Sequence, residues 1–207
     1  MSRGGPEPSS QVRRNKPDLP PRERILAAAR ALFYARGIRA VSVDEIAAAA
    51  DTNKMTLYRH FESKDRLIAE YLRELATQAD SFWDEAARAH PDDPRAQLEA
   101  WLDQLCQSMS DPENRGCALA NAAVEIREKS HPGREIIEQY KRGQREHIAK
   151  LCRDAQFRDS EKLADEIYLL LEGALVNMQS MGCEGPCRRS RDVLRTLLEA
   201  HSPKPGA

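Results

Sequence analysis

Between Lys54 and Lys64 the chain concentrates side chains suited to binding a polyanion. Lys54, Thr56, Tyr58, Arg59 and His60 share the eight-residue stretch KMTLYRHF, and Lys64 follows shortly after. Lysine and arginine neutralise phosphates; lysine also reaches guanine O6 and N7, and threonine offers a hydroxyl or a methyl to a base edge. Leu57 and Phe61, four apart, would face inward on a helix and leave the polar groups outward or sideways. Tyr58 and His60 have a second use, packing between consecutive helices. Arg59 suits either a base or a phosphate. Upstream, Ser42 precedes Val43-Asp44-Glu45, a capping-box pattern whose helix N-terminus can present backbone N–H groups to a phosphate.

A second constellation follows Gly116. Cys117, Asn121 and Glu125 are four apart, on one face of a helix otherwise built of Ala, Leu, Val and Ile. Glutamate is costly to bury unpaired, so this stripe faces an internal ligand cavity, borders solvent, or belongs to a capped interior network. Trp101 and Tyr168, with Trp83, Met109 and Tyr140, either line such a cavity or fill plain core. An apolar cavity with few polar anchors suits a hydrophobic or amphipathic small molecule. Cys183-Glu-Gly-Pro-Cys187 has no matching second pair and no His at ligand spacing, which favours incidental thiols over a metal or redox site. The five cysteines are odd in number and unevenly spaced, unlike a disulfide framework. Neither a Gly-rich phosphate loop, nor H-E-x-x-H, nor G-x-S-x-G occurs, so no catalytic residue, cofactor or metal is expected.

Helices must hold these groups. Of 207 residues 41% are hydrophobic, 31% charged and only 5% aromatic, a composition that favours an all-α fold over sheet. Residues 1–66 carry 13 Lys and Arg against 8 Asp and Glu, and the remainder 19 against 25. A basic head on an acidic body points weakly to a polyanion bound at one end. Residues 1–20 read as a disordered arm, in which Arg13, Arg14 and Lys16 either touch phosphates or sit in a solvated tail. Apolar spacing and caps predict helices over 22–36, 43–50 and 54–61, then a long one from the Ser63 cap to Ala89, about 39 Å if unbroken. Further helices are expected near 98–109, 117–128, 136–152, 163–181 and 187–200. Apolar residues cover two faces of 163–178, Tyr168, Leu169 and Val176 forming the second, so this helix should be buried on two sides. No stretch nears the roughly 18 apolar residues of a membrane helix, and the N-terminus lacks the apolar segment of a secretory signal. A cytoplasmic location is expected.

Three short helices with a tight turn between the second and third have the helix-turn-helix shape. Residues 22–67 resemble the DNA-binding domain of the TetR family of bacterial transcription regulators. The likeness rests on Ile46-Ala47-Ala48-Ala49-Ala50, on Lys54 to Phe61 and on Ser63-Lys64-Asp65-Arg66-Leu67, with the pattern T-L-Y-x-H-F-x-x-K-x-x-L. Asp51 stands where the family usually has glycine, and Asp tolerates left-handed backbone better than most residues.

The resemblance implies a helix-turn-helix domain over 21–67, a helical effector-binding and dimerisation domain over 68–201, and a tail over 202–207. It implies base contacts from Lys54 and Thr56 and backbone contacts from Tyr58, His60 and Lys64. It further implies a homodimer through helices at about 163–181 and 187–200, bound to a near-palindromic double-stranded operator with half-sites roughly 34–36 Å apart. Such a protein would be a repressor released by a small-molecule effector held near Trp101, Cys117, Asn121, Glu125 and Tyr168. A helical protein–protein adaptor that kept the fold is the alternative.

Overall fold

The computed structural model describes residues 19–111 and 114–203. Arg13, Arg14 and Lys16 of the expected arm lie outside the described residues. Among the described residues every regular element is helical: α1 Pro21–Arg36, α2 Val43–Ala49, α3 Lys54–Phe61, α4 Lys64–Ala89, α5 Pro94–Ser108, α6 Ala118–Glu125, α7 Pro132–Asp154, α8 Ser160–Met181 and α9 Ser190–His201. A short 3-10 turn, Pro186–Arg189, precedes α9.

Short polar residues start the first helices. Ser42 caps α2 in a full capping box with Glu45, Asn53 accepts the Thr56 N–H of α3 at 2.9 Å, and Ser63 accepts the Arg66 N–H of α4 at 3.1 Å. Each satisfies a donor that a helix N-terminus leaves open. Between α2 and α3, Asp51 takes a left-handed conformation, φ 51°. Its N–H and that of Thr52 return to the carbonyls of Ala48 and Ala47. The aspartate therefore supplies the turn for which glycine is the easier residue.

Two apolar cores lie along α4, whose 26 residues span about 39 Å. The first gathers Ile25, Leu26, Phe33, Ile46, Leu57, Phe61, Leu67, Tyr71 and Leu72, but also Leu119, Ala122 and Ile126 of the α6 region and Ile137 of α7. The second holds Trp83, Leu98, Trp101, Ile148, Leu163, Ile167, Leu194 and Leu198. Trp83 stacks on Trp101 with centroids 3.8 Å apart and on His147 at 4.2 Å. The long helix is thus anchored by Leu67 to Leu72 at one end and by Trp83 and Ala86 at the other.

Helix α6 is shorter than its apolar spacing predicts, ending at Glu125 instead of 128. The Arg134 guanidinium donates to the carbonyls of Ala123 (3.0 Å) and Ile126 (3.5 Å), satisfying acceptors that another helical turn would otherwise bind. Ile126 then turns into the first core. Helix α8 buries Leu163, Ile167, Leu171, Ala174 and Met178, while Leu169 and Val176 stand 68% and 62% exposed on its other side. A Cβ on Gly173, between them, would meet nothing.

Leu57 is fully buried beneath α3. Its replacement by alanine should cost about 2–5 kcal/mol, the range for a buried leucine, read as a lower urea midpoint at unchanged slope. A change below about 0.5 kcal/mol would contradict this packing.

Candidate nucleic-acid interface

Helix α3 turns Leu57 and Phe61 into the first core. On its far side Lys54, Tyr58 and Arg59 are exposed, with Thr56 and His60 half-buried at the edges. Met55 joins them at 84% exposure. Sequence reasoning passed over Met55, although an apolar residue in the first turn of such a helix can meet a thymine methyl; its signal was an exposed position in the helical pattern. Lys54 Nζ is 3.2 Å from Asp44 of α2, an exposed pair whose ammonium can exchange partners. His60 Nε2 is buried and has no hydrogen-bond partner among the described residues.

Ser42 and Lys64 stand at the starts of α2 and α4. The Ser42 N–H and hydroxyl both donate to Glu45 Oε2 at 2.8 Å. Ser42 thus caps α2 and stays exposed at its N-terminus. Lys64 Nζ donates to the Ile38 carbonyl at 2.8 Å, tying the start of α4 to the connection after α1. Partial burial lowers its pKa. One of its three N–H groups is committed to that carbonyl.

Four of the five residues expected around an effector divide between two hollows. Trp101 and Cys117 line a cavity of about 580 Å³ with Leu75, Phe82, Tyr140 and Leu175. Lys141 and Glu172 enter the same cavity, paired at 2.5 Å, and Lys141 Nζ also lies 3.4 Å from Cys117 Sγ. Burial presses the Lys141 pKa down, but the Cys117 sulfur and the Glu172 carboxylate outweigh it and hold the ammonium above its ordinary value. Burial likewise pushes the Tyr140 hydroxyl well up, keeping it a neutral donor. Asn121 and Glu125 line a different, polar crevice of about 550 Å³ between α1, α6 and α8. Tyr168 borders neither hollow; its ring lies 6.0 Å from the Lys141 ammonium. The lysine–glutamate pair escaped sequence reading because its members are 31 positions apart on different helices.

Two family models match the chain. One described as bacterial regulatory proteins of the tetR family covers residues 25–71, and one described as the tetracyclin repressor-like C-terminal domain covers 94–194. The HTH-type transcriptional regulator YjdC of Escherichia coli is 23% identical over 84% of this chain and 93% of its own. The HTH-type transcriptional repressor DhaR of a Mycobacterium species is 24% identical over 77% of this chain and 83% of its own. The crystal structure of a TetR-family transcriptional regulator from Streptomyces coelicolor matches with a TM-score of 0.81 and 26% identity, covering 88% of this chain and 96% of that one.

The Ser42 N–H, the Ser42 hydroxyl and Arg36 together hold the Glu45 carboxyl at about 2, against an ordinary 4.5. A depressed folded-state pKa adds stability that is complete above about pH 4.5 and lost as pH falls toward 2. Glu45→Gln should therefore flatten the acid limb of the stability curve in that window, measured by urea unfolding at stepped pH. An unchanged acid slope would show that the box does not hold in solution.

Proposed function

Since the chain belongs to the TetR family of bacterial transcriptional regulators, we propose that it is a homodimeric repressor that leaves its operator when a small molecule fills its body. The exposed face of α3, set on buried Leu57 and Phe61, carries this reading. Lys54, Met55 and Thr56 read base edges in the major groove. Tyr58, Arg59 and His60 hold the flanking phosphates. Ser42, at the N-terminus of α2, and Lys64 add phosphate contacts, and they also hold α2 and α4 in register. The expected domain division, 21–67 for DNA and 68–201 for effector and dimer, is kept as part of this proposal. That DhaR is named a repressor supports the sign of regulation.

The effector is an apolar or amphipathic molecule in the cavity of about 580 Å³. Trp101, Leu75 and Phe82 supply its apolar wall, and Lys141, Glu172 and the Tyr140 hydroxyl its polar anchors. Such a ligand acts only if it binds the DNA-free arrangement more tightly than the DNA-bound one. The exposed Leu169, Gly173 and Val176 ridge of α8, with Val193 of α9, is the surface for a second copy. A two-fold dimer presents its recognition helices to the two halves of a near-palindrome.

Gel shift with DNA from upstream of the chain's own gene, at about 0.15 M salt with excess competitor, tests the function. A competitor-resistant complex holding two chains, or a multiple of two, is expected. Binding erased by salt would favour the adaptor alternative.

Leu169→Arg should convert the dimer to monomers in sedimentation and abolish the resistant complex, because a charge would enter the apolar ridge on both sides of the axis. A dimer that survives this change would move the interface elsewhere.

A further inference from the structure

The run from Gly116 to Glu125 has a use that an effector cavity does not explain. Gly116 has φ +76°, and a Cβ on it would lie 2.3 Å from Gln179 Nε2. Only glycine lets the Gln179 amide of α8 come so close. That amide donates to the Arg115 carbonyl (2.9 Å) and to Asn121 Oδ1 (2.8 Å). Asn121 Nδ2 donates to the same Arg115 carbonyl at 2.9 Å. Arg115 in turn grips α1: its N–H donates to the Tyr34 hydroxyl at 3.0 Å, and its guanidinium donates to the Ala35 carbonyl.

Glu125 completes the path at the other end of α6. Its Oε2 accepts the Arg39 N–H at 2.8 Å, across 86 residues of sequence. Its carboxylate also packs against Gly37, where a Cβ would lie 2.9 and 3.0 Å from the two oxygens. Lys64 of α4 donates to the neighbouring Ile38 carbonyl, near enough to Glu125 for the two charges to interact. The connection between α1 and α2 is therefore held by a carboxylate from the body and an ammonium from α4 at adjacent residues. Most of these bonds end on backbone groups, which have no rotamers to absorb a shift. They lie around the open polar crevice, where water can replace them, so they can break and re-form.

We propose that Gly116, Asn121 and Glu125, with Arg115 and Gln179, form a polar strap that couples the position of α8 to the α1–α2 connection, and that Glu125 is a positioning residue for DNA binding. The strap joins the helix that offers the dimer ridge to the backbone that leads into α2 and α3. Moving α8 far enough to withdraw Gln179 removes a donor from the Arg115 carbonyl and so loosens the grip of Arg115 and α6 on α1. This inference rests on the DNA-binding reading above.

The test compares full-length wild type, E125A and E125Q. Two quantities are read: hydrogen exchange at the Arg39 amide, and affinity for a duplex enriched by wild type from random-sequence DNA. E125A should release the Arg39 N–H, speeding its exchange, and weaken specific binding by about tenfold, within the usual range of coupling between sites. Binding to unselected DNA should not change, because it does not need both heads in register. E125Q keeps an acceptor oxygen and should stay near wild type in both readouts. G116A, far from the DNA face, should lose specific affinity in the same direction as E125A. Wild-type exchange and affinity in E125A would overturn the strap. So would equal loss in E125A and E125Q, which would assign the effect to charge. Failure of wild type to enrich any sequence would instead remove the DNA-binding reading, and the positioning role with it.

Discussion

Leu57 and Phe61, which seat the recognition helix, are buried in the same apolar cluster as Leu119, Ala122 and Ile126 of the α6 region and Ile137 of α7. The DNA-binding head thus does not close its own core; the body closes it. Exposing that shared surface costs about 25 cal/mol for each Å² of apolar area, which opposes separation of head and body. Any signal from the body must pass through this contact, and α4, fixed in both cores, limits the paths open to it.

Within that limit polar groups set the register. Glu125 and Lys64 both hold the α1–α2 connection, and the capping box of Ser42 and Glu45 fixes where α2 begins. None of these is a strong interaction alone, since each is at least partly exposed and a hydrogen bond nets about 1 kcal/mol. Their value is directional. An apolar core tolerates small shifts, whereas a bond to a particular backbone N–H or carbonyl selects one arrangement. The cavity around Trp101, Lys141 and Glu172 is lined by Ala118 and Leu119, and the crevice by Ala118, Asn121, Ala122 and Glu125, so one short helix borders both hollows.

Much of the architecture was legible in the residues because it is written at short range. Helix α3 has the bounds that its apolar spacing and the Asn53 cap predict, and the all-helical fold and the family follow from the same motifs. The left-handed Asp51 could be expected from its place in the turn. Partners far apart in sequence were not legible. Nothing near Glu125 reveals that its acceptor meets the Arg39 N–H, nothing near Lys64 points to the Ile38 carbonyl, and the end of α6 depends on Arg134. Helical spacing put Cys117, Asn121 and Glu125 on one face, yet the face curves between two hollows, and only Cys117 reaches the apolar one.

Selection from a random-sequence DNA library by the purified full-length chain tests the central claim most directly, because the library itself contains the candidate operators. The expected result is an enriched motif with two inverted half-sites, centred about one helical turn (roughly 34–36 Å) apart, with two chains or a multiple of two bound to each duplex. A motif without two-fold symmetry, or no enrichment above the starting library, would contradict a dimeric regulator that reads DNA through Lys54, Met55 and Thr56.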